Sequence, residues 1–426
     1  MTNAIRARID QIRQGKVPEG YVRTRAGIMP SDWPTTIKAR DVFYSHSVKS
    51  NGCGLMVLSA TQDRGIVPRS EVDIDIKYDT NNLDSYKKVD VGDFVISLRS
   101  FQGGIECSTY EGIVSPAYTV LKNRIAICNG YYREYFKTDD FIARLNGAVY
   151  GIRDGKQIGF DDFGDMLIHC PSLQEQERIA KILSTCDRII DKYEEETDQY
   201  RKLKQHLLGK MFPAEGAVVP EIRFPGFTDP WEQRKVGDTC RINGRIGFRG
   251  YTEKDIISKD AGGVLTFSPT NIVENKLTVN CKNTYITREK FEESPEIMIK
   301  NGDILFVKTG STLGKSALVE GLEEDASINP QIVVMRVKEG TEAFFFNVLI
   351  THEILKQIAA VKIGGAVPTM TETELKNFVY YEPTTNEEKL KIGSYFQRID
   401  NLITLHQRKC DALKNAKKFF LQNMFV

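Results

Sequence analysis

The sequence lacks several features that would assign it directly to a class of protein. Its 426 residues carry 58 Lys and Arg against 57 Asp and Glu, so no overall basic excess marks a nucleic-acid binder, and any polyanion site must be a local patch. The eight cysteines lie far apart without CxxC spacing, which favours free thiols over a zinc or redox site. No apolar run approaches the ~18 residues of a membrane span. The charged, amphipathic N-terminus lacks the apolar core of an export signal, so we expect a cytoplasmic protein.

One glycine-rich stretch, LFVKTGSTLGKSAL at residues 305–318, comes close to a nucleotide-binding phosphate loop. That loop has four residues between its first glycine and the Gly-Lys-Ser/Thr, because successive backbone N–H groups must wrap the phosphates. Here only three residues separate Gly310 from Gly314. A loop one residue short cannot form the same nest. The sequence therefore favours another role for this stretch, and an NTPase with a coiled-coil arm stays as an alternative.

Three pairs of similar segments recur in the same order, which indicates an internal duplication. The only two tryptophans, Trp33 and Trp231, lie in similar contexts. VDVGDFVISLRSFQGG at residues 89–104 parallels IKNGDILFVKTGSTLG at residues 299–314, and a long polar-apolar segment that ends at Phe212 recurs in one that ends at Phe425. The glycine-rich stretch thus has a counterpart without Gly-Lys-Ser. Both copies predict a turn that enters a strand, followed by a loop with variable residues at its tip.

The two long segments predict long helices. Apolar residues follow the 3-4-3-4 spacing of a coiled-coil seam, and neither segment contains proline. Each segment is expected to form one helix of about 38 residues, roughly 57 Å long. The predicted seam of the first comprises Ile179, Ile182, Cys186, Ile189, Tyr193, Glu196, Tyr200, Leu203, Leu207 and Lys210. The equivalent seam of the second comprises Ile392, Tyr395, Ile399, Leu402, His406, Lys409, Leu413, Ala416, Phe420 and Asn423.

A helix with one apolar stripe needs a partner, and the two copies are natural partners for each other. Duplicated halves relate most simply by a pseudo-twofold axis, which makes the helices antiparallel. Both seams turn polar at the middle, at Glu196 and Lys409. We therefore expect YEEET at residues 193–197 to face HQRKC at residues 406–410 and to set the register. A solvated charged face is the alternative.

The predicted fold is α/β and duplicated, with two similar mixed α/β globules, each followed by a long helix, and the two helices paired as an antiparallel coiled coil. KVPEGYVRT at residues 16–24 resembles VVPEIRF at residues 218–224, so the start of the chain is expected near its end. The predicted segments are an N-terminal segment at 1–30, a globule at 31–173, a helix at 174–212, a linker at 213–230, a globule at 231–385 and a helix at 386–426.

This ordered set of motifs resembles the specificity (S) subunits of bacterial type I restriction-modification systems. The resemblance rests on the two tryptophan-marked halves, the GDFVISLRS and GDILFVKTG strands, and the closing segments PSLQEQERIAKIL and EPTTNEEKLKIGSYF. It covers essentially the whole chain. It implies two target recognition domains, each of which reads one half of a bipartite site on double-stranded DNA, and two helices that fix the gap between the halves.

The resemblance also implies partners that carry the chemistry. Two modification subunits would dock on the chain to form an adenine-N6 DNA methyltransferase, and restriction subunits would add an ATP-dependent endonuclease. The chain itself would be non-catalytic and hold no cofactor, while S-adenosylmethionine, ATP and Mg would bind to the partners. The five histidines are isolated and no Asn/Asp-Pro-Pro-aromatic motif is present, so neither a catalytic nor a metal site is predicted. A scaffold with duplicated protein-binding modules is a second alternative.

Candidate DNA contacts lie in polar loops that flank the predicted strands. Arginine pairs best with guanine and Asn or Gln with adenine, whereas Lys, Ser and Thr suit phosphates. The candidates in the first copy are Lys49, Arg64, Arg99 and Gln102, and those in the second copy are Arg241, Arg245, Arg249, Lys308, Thr309, Ser311 and Lys315. The three closely spaced arginines form the clearest local basic patch, with solvated surface arginines as the alternative.

Overall fold

The structure, a computed structural model, describes residues 3–50, 54–61, 64–72, 80–97, 104–148, 158–279, 283–337, 340–361 and 368–425. The chain divides into two units. Unit 1 comprises Met1–Glu194 with Arg408–Val426, and unit 2 comprises Glu195–Gln407. Each unit therefore contains one globule, the first part of one long helix and the last part of the other.

Unit 1 has a mixed α/β globule. Its helices are α1 Asn3–Arg13, α2 Ala39–Val42, α3 Asn129–Tyr135, α4 Asp139–Ala148, α5 Phe160–Asp165 and the first part of α6 Leu173–Met211. Its strands are β1 Tyr21–Thr24, β2 Gly27–Pro30, β3 Phe43–His46, β4 Leu58–Thr61, β5 Gly65–Pro68, β6 Lys87–Val89, β7 Phe94–Ile96, β8 Ile105–Cys107, β9 Gly112–Val114 and β10 Thr119–Asn123.

Unit 2 begins with the last part of α6. Its further helices are α7 Val236–Thr239, α8 Arg288–Glu292, α9 Glu342–Leu349, α10 His352–Val361, α11 Glu372–Asn377 and α12 Asn386–Asn423, which ends in unit 1. Its strands are β11 Glu232–Lys235, β12 Cys240–Gly244, β13 Val264–Phe267, β14 Ile272–Val273, β15 Lys276–Leu277, β16 Thr284–Ile286, β17 Ile304–Val307, β18 Ser316–Leu318, β19 Ala326–Ile328, β20 Ile332–Val337 and β21 Val379–Glu382.

Both units contain the same four-stranded antiparallel sheet. Its strand order is β3-β10-β7-β8 in unit 1 and β12-β20-β17-β18 in unit 2. Unit 2 adds a three-stranded sheet, β16-β13-β19, in which β13 and β19 run parallel. The remaining pairs are β1–β2, β4–β5, β6–β9, β11–β21 and β14–β15. The repeated sheet confirms the duplicated α/β fold.

Strands β7 and β17 occupy the same inner position in the two sheets. Both are buried on both faces, which explains their unbroken apolar sequences. Side chains alternate between the two faces of a strand. In β17, Ile304 and Phe306 pack in one core cluster, while Leu305 and Val307 pack in another. In unit 1, Phe94 and Val95 of β7 divide between two clusters in the same way.

The Gly-Asp turn that precedes β7 in unit 1 has the same geometry as the one that precedes β17 in unit 2. Both glycines have φ +94°, in the left-handed region that favours glycine. In both turns the aspartate accepts a hydrogen bond from the amide three residues earlier, at 2.8 and 2.9 Å. Asp93 also pairs with Lys122 at 3.0 Å, and Asp303 with Arg336 at 3.0 Å. The cations occupy equivalent positions on β10 and β20.

The long helices have the predicted lengths and pair in the predicted antiparallel sense. Helix α6 has 39 residues and α12 has 38. In unit 1, Asp187 pairs with Lys417 at 2.7 Å, and Glu194 further along α6 contacts Cys410, earlier in α12. In unit 2, Lys204 pairs with Asp400 at 2.7 Å. This last pair repeats the first, since Lys204 is the equivalent of Lys417 and Asp400 that of Asp187 when the two long segments are aligned.

The polar centres of the seams face each other as predicted. In unit 1, the Lys409 ammonium lies 5.3 Å from the centre of the Tyr193 ring. In unit 2, His406 Nδ1 lies 3.1 Å from Glu196 Oε2. The same alignment makes His406 the equivalent of Tyr193 and Lys409 that of Glu196, so each pair repeats the other and the predicted register is confirmed.

Half of the predicted seam positions were wrong by one residue. Ile182 and Leu203 are 43% and 41% exposed, whereas Leu183 is fully buried. The inward positions that replace the predicted ones in α6 are Leu183, Ile190, Thr197, Lys204 and Met211. Adjacent apolar residues such as Ile182 and Leu183 satisfy either phase, and the sequence pattern alone could not choose between them.

The end of each long helix completes the core of a unit. In unit 2, Phe212 stacks on Phe344 of α9 at 5.7 Å between ring centres. In unit 1, its equivalent Phe425 packs on Tyr131 of α3 at 5.1 Å. The start of the chain also lies beside the end of α12, since the guanidinium of Arg13 donates to Asn423 Oδ1 at 3.5 Å, as predicted.

Helices α9 and α10 form an apolar part of unit 2. Phe344, Phe345 and Leu349 of α9 and Ile354 of α10 are at most 1% exposed. No single helix in the described part of the chain is long and apolar enough to cross a membrane. Taken together, α9 and α10 reach the required length and composition, with a bend of 54° between them.

Candidate nucleic-acid interface

The glycine-rich stretch forms a tight hairpin tip between β17 and β18. The Val307 amide donates to Lys315 O at 2.8 Å, and the Gly314 amide donates back to Val307 O at 3.0 Å. The Gly310 amide donates to Pro368 O at 2.9 Å. A phosphate nest needs such amides to converge on an anion, but here they are occupied by carbonyl oxygens. The hairpin gives no support to the NTPase alternative.

Sheet topology brings the loops after β12 and β17 to the same edge of the sheet. Both strands run antiparallel to β20, which lies between them, so they are parallel to each other and end on the same side. In unit 1, β3 and β7 flank β10 in the same way. We call this side of each sheet the loop edge. The candidate loops around Lys49 and at residues 308–315 follow strands that end there.

Of the four candidates on the hairpin tip, two have exposed side chains. Ser311 and Lys315 are exposed. Lys308 is held, since its Nζ lies 3.7 Å from Glu372 Oε1 and its side chain is 22% exposed. Thr309 forms an isolated β-bridge with the segment at Thr369. Ser311 and Lys315 are therefore the hairpin residues best placed to contact a ligand.

Arg245 is a structural residue, which corrects its assignment to the basic patch. Its side chain is buried, and the guanidinium donates to Ile328 O at 3.2 Å, to Ser327 Oγ at 3.1 Å and to Arg249 O at 3.3 Å. It also lies 5.3 Å from the centre of the Tyr251 ring. Burial lowers the pKa of Arg245 below its ordinary value. These hydrogen bonds hold the loop after β12 against β19.

The other two arginines of the predicted patch are not brought together either. Arg241 is exposed, but it lies opposite Arg336 near the beginning of β12, at the end of the strand away from the loop edge. Arg249 donates to Glu293 O at 3.0 Å and lies 3.7 Å from the Glu296 carboxylate. The three arginines therefore occupy separate environments and do not form one basic patch.

In unit 1, two of the four candidates can be placed. Lys49 is exposed and forms an isolated β-bridge with Lys87. Arg64 is exposed in the turn between β4 and β5, and its guanidinium donates to Glu71 O at 3.0 Å. Arg99 and Gln102 lie outside the described residues.

Two further candidates were missed in the sequence. Gln331 is exposed directly before β20, and its carbonyl accepts from the Lys308 amide at 2.8 Å, which places it beside the hairpin tip at the loop edge. In unit 1, the Lys88 amide donates to Val48 O at 2.9 Å, so a second lysine lies beside Lys49. The Asn-Pro-Gln turn that enters β20 was a usable signal, since a glutamine beside a strand end is a potential adenine reader.

Known proteins share both the sequence and the fold of this chain. Residues 228–415 match the family model of the type I restriction modification DNA specificity domain. The type I restriction enzyme MjaVIII specificity subunit of Methanocaldococcus jannaschii is 22% identical over 317 residues, which cover 72% of each chain.

One solved structure shares the fold of this chain. The type I restriction-modification S subunit from M. genitalium has a TM-score of 0.57 at 11% identity and covers 95% of this chain and 99% of its own. The HsdS subunit from Thermoanaerobacter tengcongensis has a TM-score of 0.43 at 16% identity, over 96% of this chain and 97% of its own. The second half thus matches the DNA specificity domain of type I restriction-modification systems, the first half repeats its sheet, and the chain is similar over most of its length to a specificity (S) subunit of such a system.

Proposed function

We propose that this chain is the DNA-specificity subunit of a type I restriction-modification complex and itself carries out no chemistry. Each unit reads one half of a bipartite site on double-stranded DNA, and the paired helices α6 and α12 set the gap between the halves. The observation that carries the proposal is the repeated sheet whose loop edge carries different residues in the two units. Two similar sheets that carry different loop residues suit the reading of two different half-sites.

Readout is assigned to the loop edges and the residues beside them. Lysine, serine and threonine there would fix the position of each unit on the phosphates, and a glutamine or arginine would read base edges. In unit 2 the contacts are assigned to Ser311, Lys315 and Gln331. In unit 1 they are assigned to Lys49, with Arg64 at the neighbouring turn.

The modification subunits are proposed to dock on the paired helices. Several large apolar side chains point away from the seam, and their exposure supports a covered surface in the complex. They are Ile182 at 43%, Leu203 at 41%, Leu402 at 38% and Leu405 at 46%. S-adenosylmethionine, ATP and Mg are assigned to the modification and restriction subunits, and the complex is expected to act in the cytoplasm.

Methylation mapping tests the proposal. The chain is expressed together with a modification subunit of the same system in a methylation-free host, and N6-methyladenine is mapped by long-read sequencing. A bipartite motif with a fixed unspecified gap is expected, and exchange of residues 231–385 with those of another S subunit should change one half only. A soluble complex that leaves the DNA unmethylated would contradict the proposal.

Salt dependence separates this function from that of a protein-binding scaffold. DNA binding releases counterions and should weaken steeply between low and physiological salt. Substitution of Lys315 by Met should reduce the slope of that dependence by about one, because one phosphate contact is lost. Binding that is insensitive to salt and to Lys315 would favour the scaffold instead.

A further inference from the structure

The hairpin β14–β15 of unit 2 joins two parts of that unit that otherwise belong to different cores. Buried residues of α6 and α12 pack with the inner face of the four-stranded sheet, in one cluster with Ile304 and Phe306. The outer face of the sheet packs with β13 and β19 in a second cluster, whose buried members include none from the two long helices. Ile272 at the base of the hairpin is buried in this second cluster.

The base of the hairpin is fixed by a buried asparagine. Asn271 is 1% exposed, and its Nδ2 donates to Thr278 O at 3.0 Å and to Asn283 Oδ1 at 2.9 Å. The Thr278 amide donates to Asn271 O at 2.8 Å. A hairpin closed on both sides of its base moves with the body of the unit.

The tip of the hairpin contacts both long helices. The Lys276 ammonium donates to Asp400 O at 3.1 Å and to the Thr404 hydroxyl, both on α12. Arg201 of α6 donates to the Glu274 carboxylate at 2.6 Å. Lys204 of α6 in turn pairs with the Asp400 carboxylate, so the tip meets the two helices at the point where they are paired with each other.

The turn carries a backbone conformation that its residue types do not favour. Glu274 and Asn275 have φ +49° and +59°. Asparagine and glycine suit the two-residue hairpin turn that this geometry forms, whereas glutamate is uncommon there. An unfavourable residue persists where the surroundings require it, and here the Glu274 carboxylate is bound by Arg201.

We propose that the β14–β15 hairpin is a strut, and that Lys276 and Glu274 are positioning residues that hold the outer layer of unit 2 on the helix pair and thereby restrict the gap between the two half-sites. This inference rests on the proposed function.

Gap selectivity tests the strut in the assembled complex. The double variant Glu274→Asn, Lys276→Met removes both contacts, and asparagine at 274 suits the turn better than glutamate, which protects folding. The wild-type complex is expected to methylate sites of one gap length. The variant complex should methylate sites whose gap is one base pair longer or shorter about tenfold more, because the charge-assisted hydrogen bonds of the Lys276 ammonium to α12 are lost, with both half-site sequences unchanged.

The control is Lys259→Met, since Lys259 is an exposed lysine of the same unit that pairs with Glu324. It should keep the wild-type gap. If the double variant is insoluble, Glu274→Asn alone is measured and should relax the gap to a smaller extent. A variant complex with the wild-type gap and methylation level overturns the strut, whereas a wild-type complex without a bipartite motif overturns the proposed function.

Discussion

Unit 1 and unit 2 make the same contacts at equivalent positions with different residue types. The turn aspartates pair with lysine in unit 1 and with arginine in unit 2. In the middle of the helix pair, Lys409 lies over the Tyr193 ring in unit 1, and His406 lies beside Glu196 in unit 2. Two copies of one ancestral fold have kept these contacts while replacing their residue types, so the positions of the strands and helices are more constrained than the chemistry of the contacts.

The units differ in what is attached to this shared fold. In the part of the chain that the structure describes, unit 2 carries β13 between β16 and β19, and the hairpin β14–β15 that follows it, whereas unit 1 forms the pairs β4–β5 and β6–β9. Among the described residues, the loop edges also differ, with Lys49 in one unit and Ser311, Lys315 and Gln331 in the other. Variation outside a constant sheet supports the proposed reading of two different half-sites.

The largest expected difference between the units concerns the aromatic residues that end the long helices. Phe212 lies within 6.0 Å of three aromatic rings, those of Phe344, Trp231 and Phe396. Phe212→Ala should lower the free energy of unfolding of unit 2 by about 3–5 kcal/mol, through lost burial and the cavity left behind. Its equivalent in unit 1, Phe425, packs on two tyrosine rings, so Phe425→Ala should cost less.

Each unit contains a single tryptophan, which makes this comparison measurable. Urea unfolding of a Trp33→Phe background reports unit 2 through Trp231, and the reverse background, Trp231→Phe, reports unit 1. Phe212→Leu is the matched control and should cost less than about 1.5 kcal/mol, since it keeps most of the apolar volume. Equal losses for Phe212→Ala and Phe425→Ala would show that the additional ring contact of Phe212 contributes nothing to stability.

The next difference concerns the lysines that cross the helix pair. Lys417 pairs with Asp187 at 2.7 Å and with Glu134 at 3.3 Å, and Glu134 is 4% exposed. Lys417→Met should destabilise unit 1 by about 2 kcal/mol, because it removes the cation shared by two carboxylates and leaves the buried Glu134 to the neighbouring Arg133 guanidinium, 3.0 Å away. Lys204→Met should cost unit 2 about half as much, since Lys204 pairs with the single carboxylate of Asp400, which keeps the nearby charge of Lys276.

The pH dependence of Lys417 provides a second measurement. Burial acts to lower the pKa of Lys417, but the hydrogen bond to Asp187 and the charge of Glu134 outweigh it, and the pKa is raised. A raised pKa contributes stability below the unfolded value, which is lost as the pH rises through the folded value. The difference between wild type and Lys417→Met should therefore shrink in strongly alkaline solution. A difference that stays constant there would contradict the ion pair.

The sequence predicted those parts of the structure that follow from local pattern. Helical periodicity without proline identified both long helices, and the repeat of Gly-Asp before an apolar run identified the central strand of each sheet. The phase of the seam failed because Ile182 and Leu183 are both apolar, and burial was decided by partners on the other helix. A pattern within one helix contains no information about which neighbour it meets.

Arg245 and Gln331 show the same limit at the candidate interface. The spacing of Arg245 between Arg241 and Arg249 resembled a surface patch, yet its guanidinium is satisfied by Ile328 and Ser327, far later in the chain. Gln331 reaches the loop edge only because β20 lies between β12 and β17. Both placements depend on strand order, which short motifs do not specify.

The smallest expected difference concerns an exposed ion pair that only unit 1 possesses. Glu194 pairs with Lys414 at 2.6 Å, and Gln407 and Arg201 take the equivalent positions in unit 2. The hydrogen bond from Lys414 lowers the pKa of Glu194. A lowered pKa contributes stability above the unfolded value, which is lost as the pH falls through the folded value. Since both side chains are about half exposed, solvent screening limits the coupling to at most about 0.5 kcal/mol.

A double-mutant cycle with Glu194→Gln and Lys414→Met should give this coupling at pH 7 and none well below pH 4. The neighbouring variant Glu195→Gln, cycled with Lys414→Met, should give no coupling at either pH. A Glu194–Lys414 coupling that survives in acid would mean that packing, and not charge, joins the two helices there.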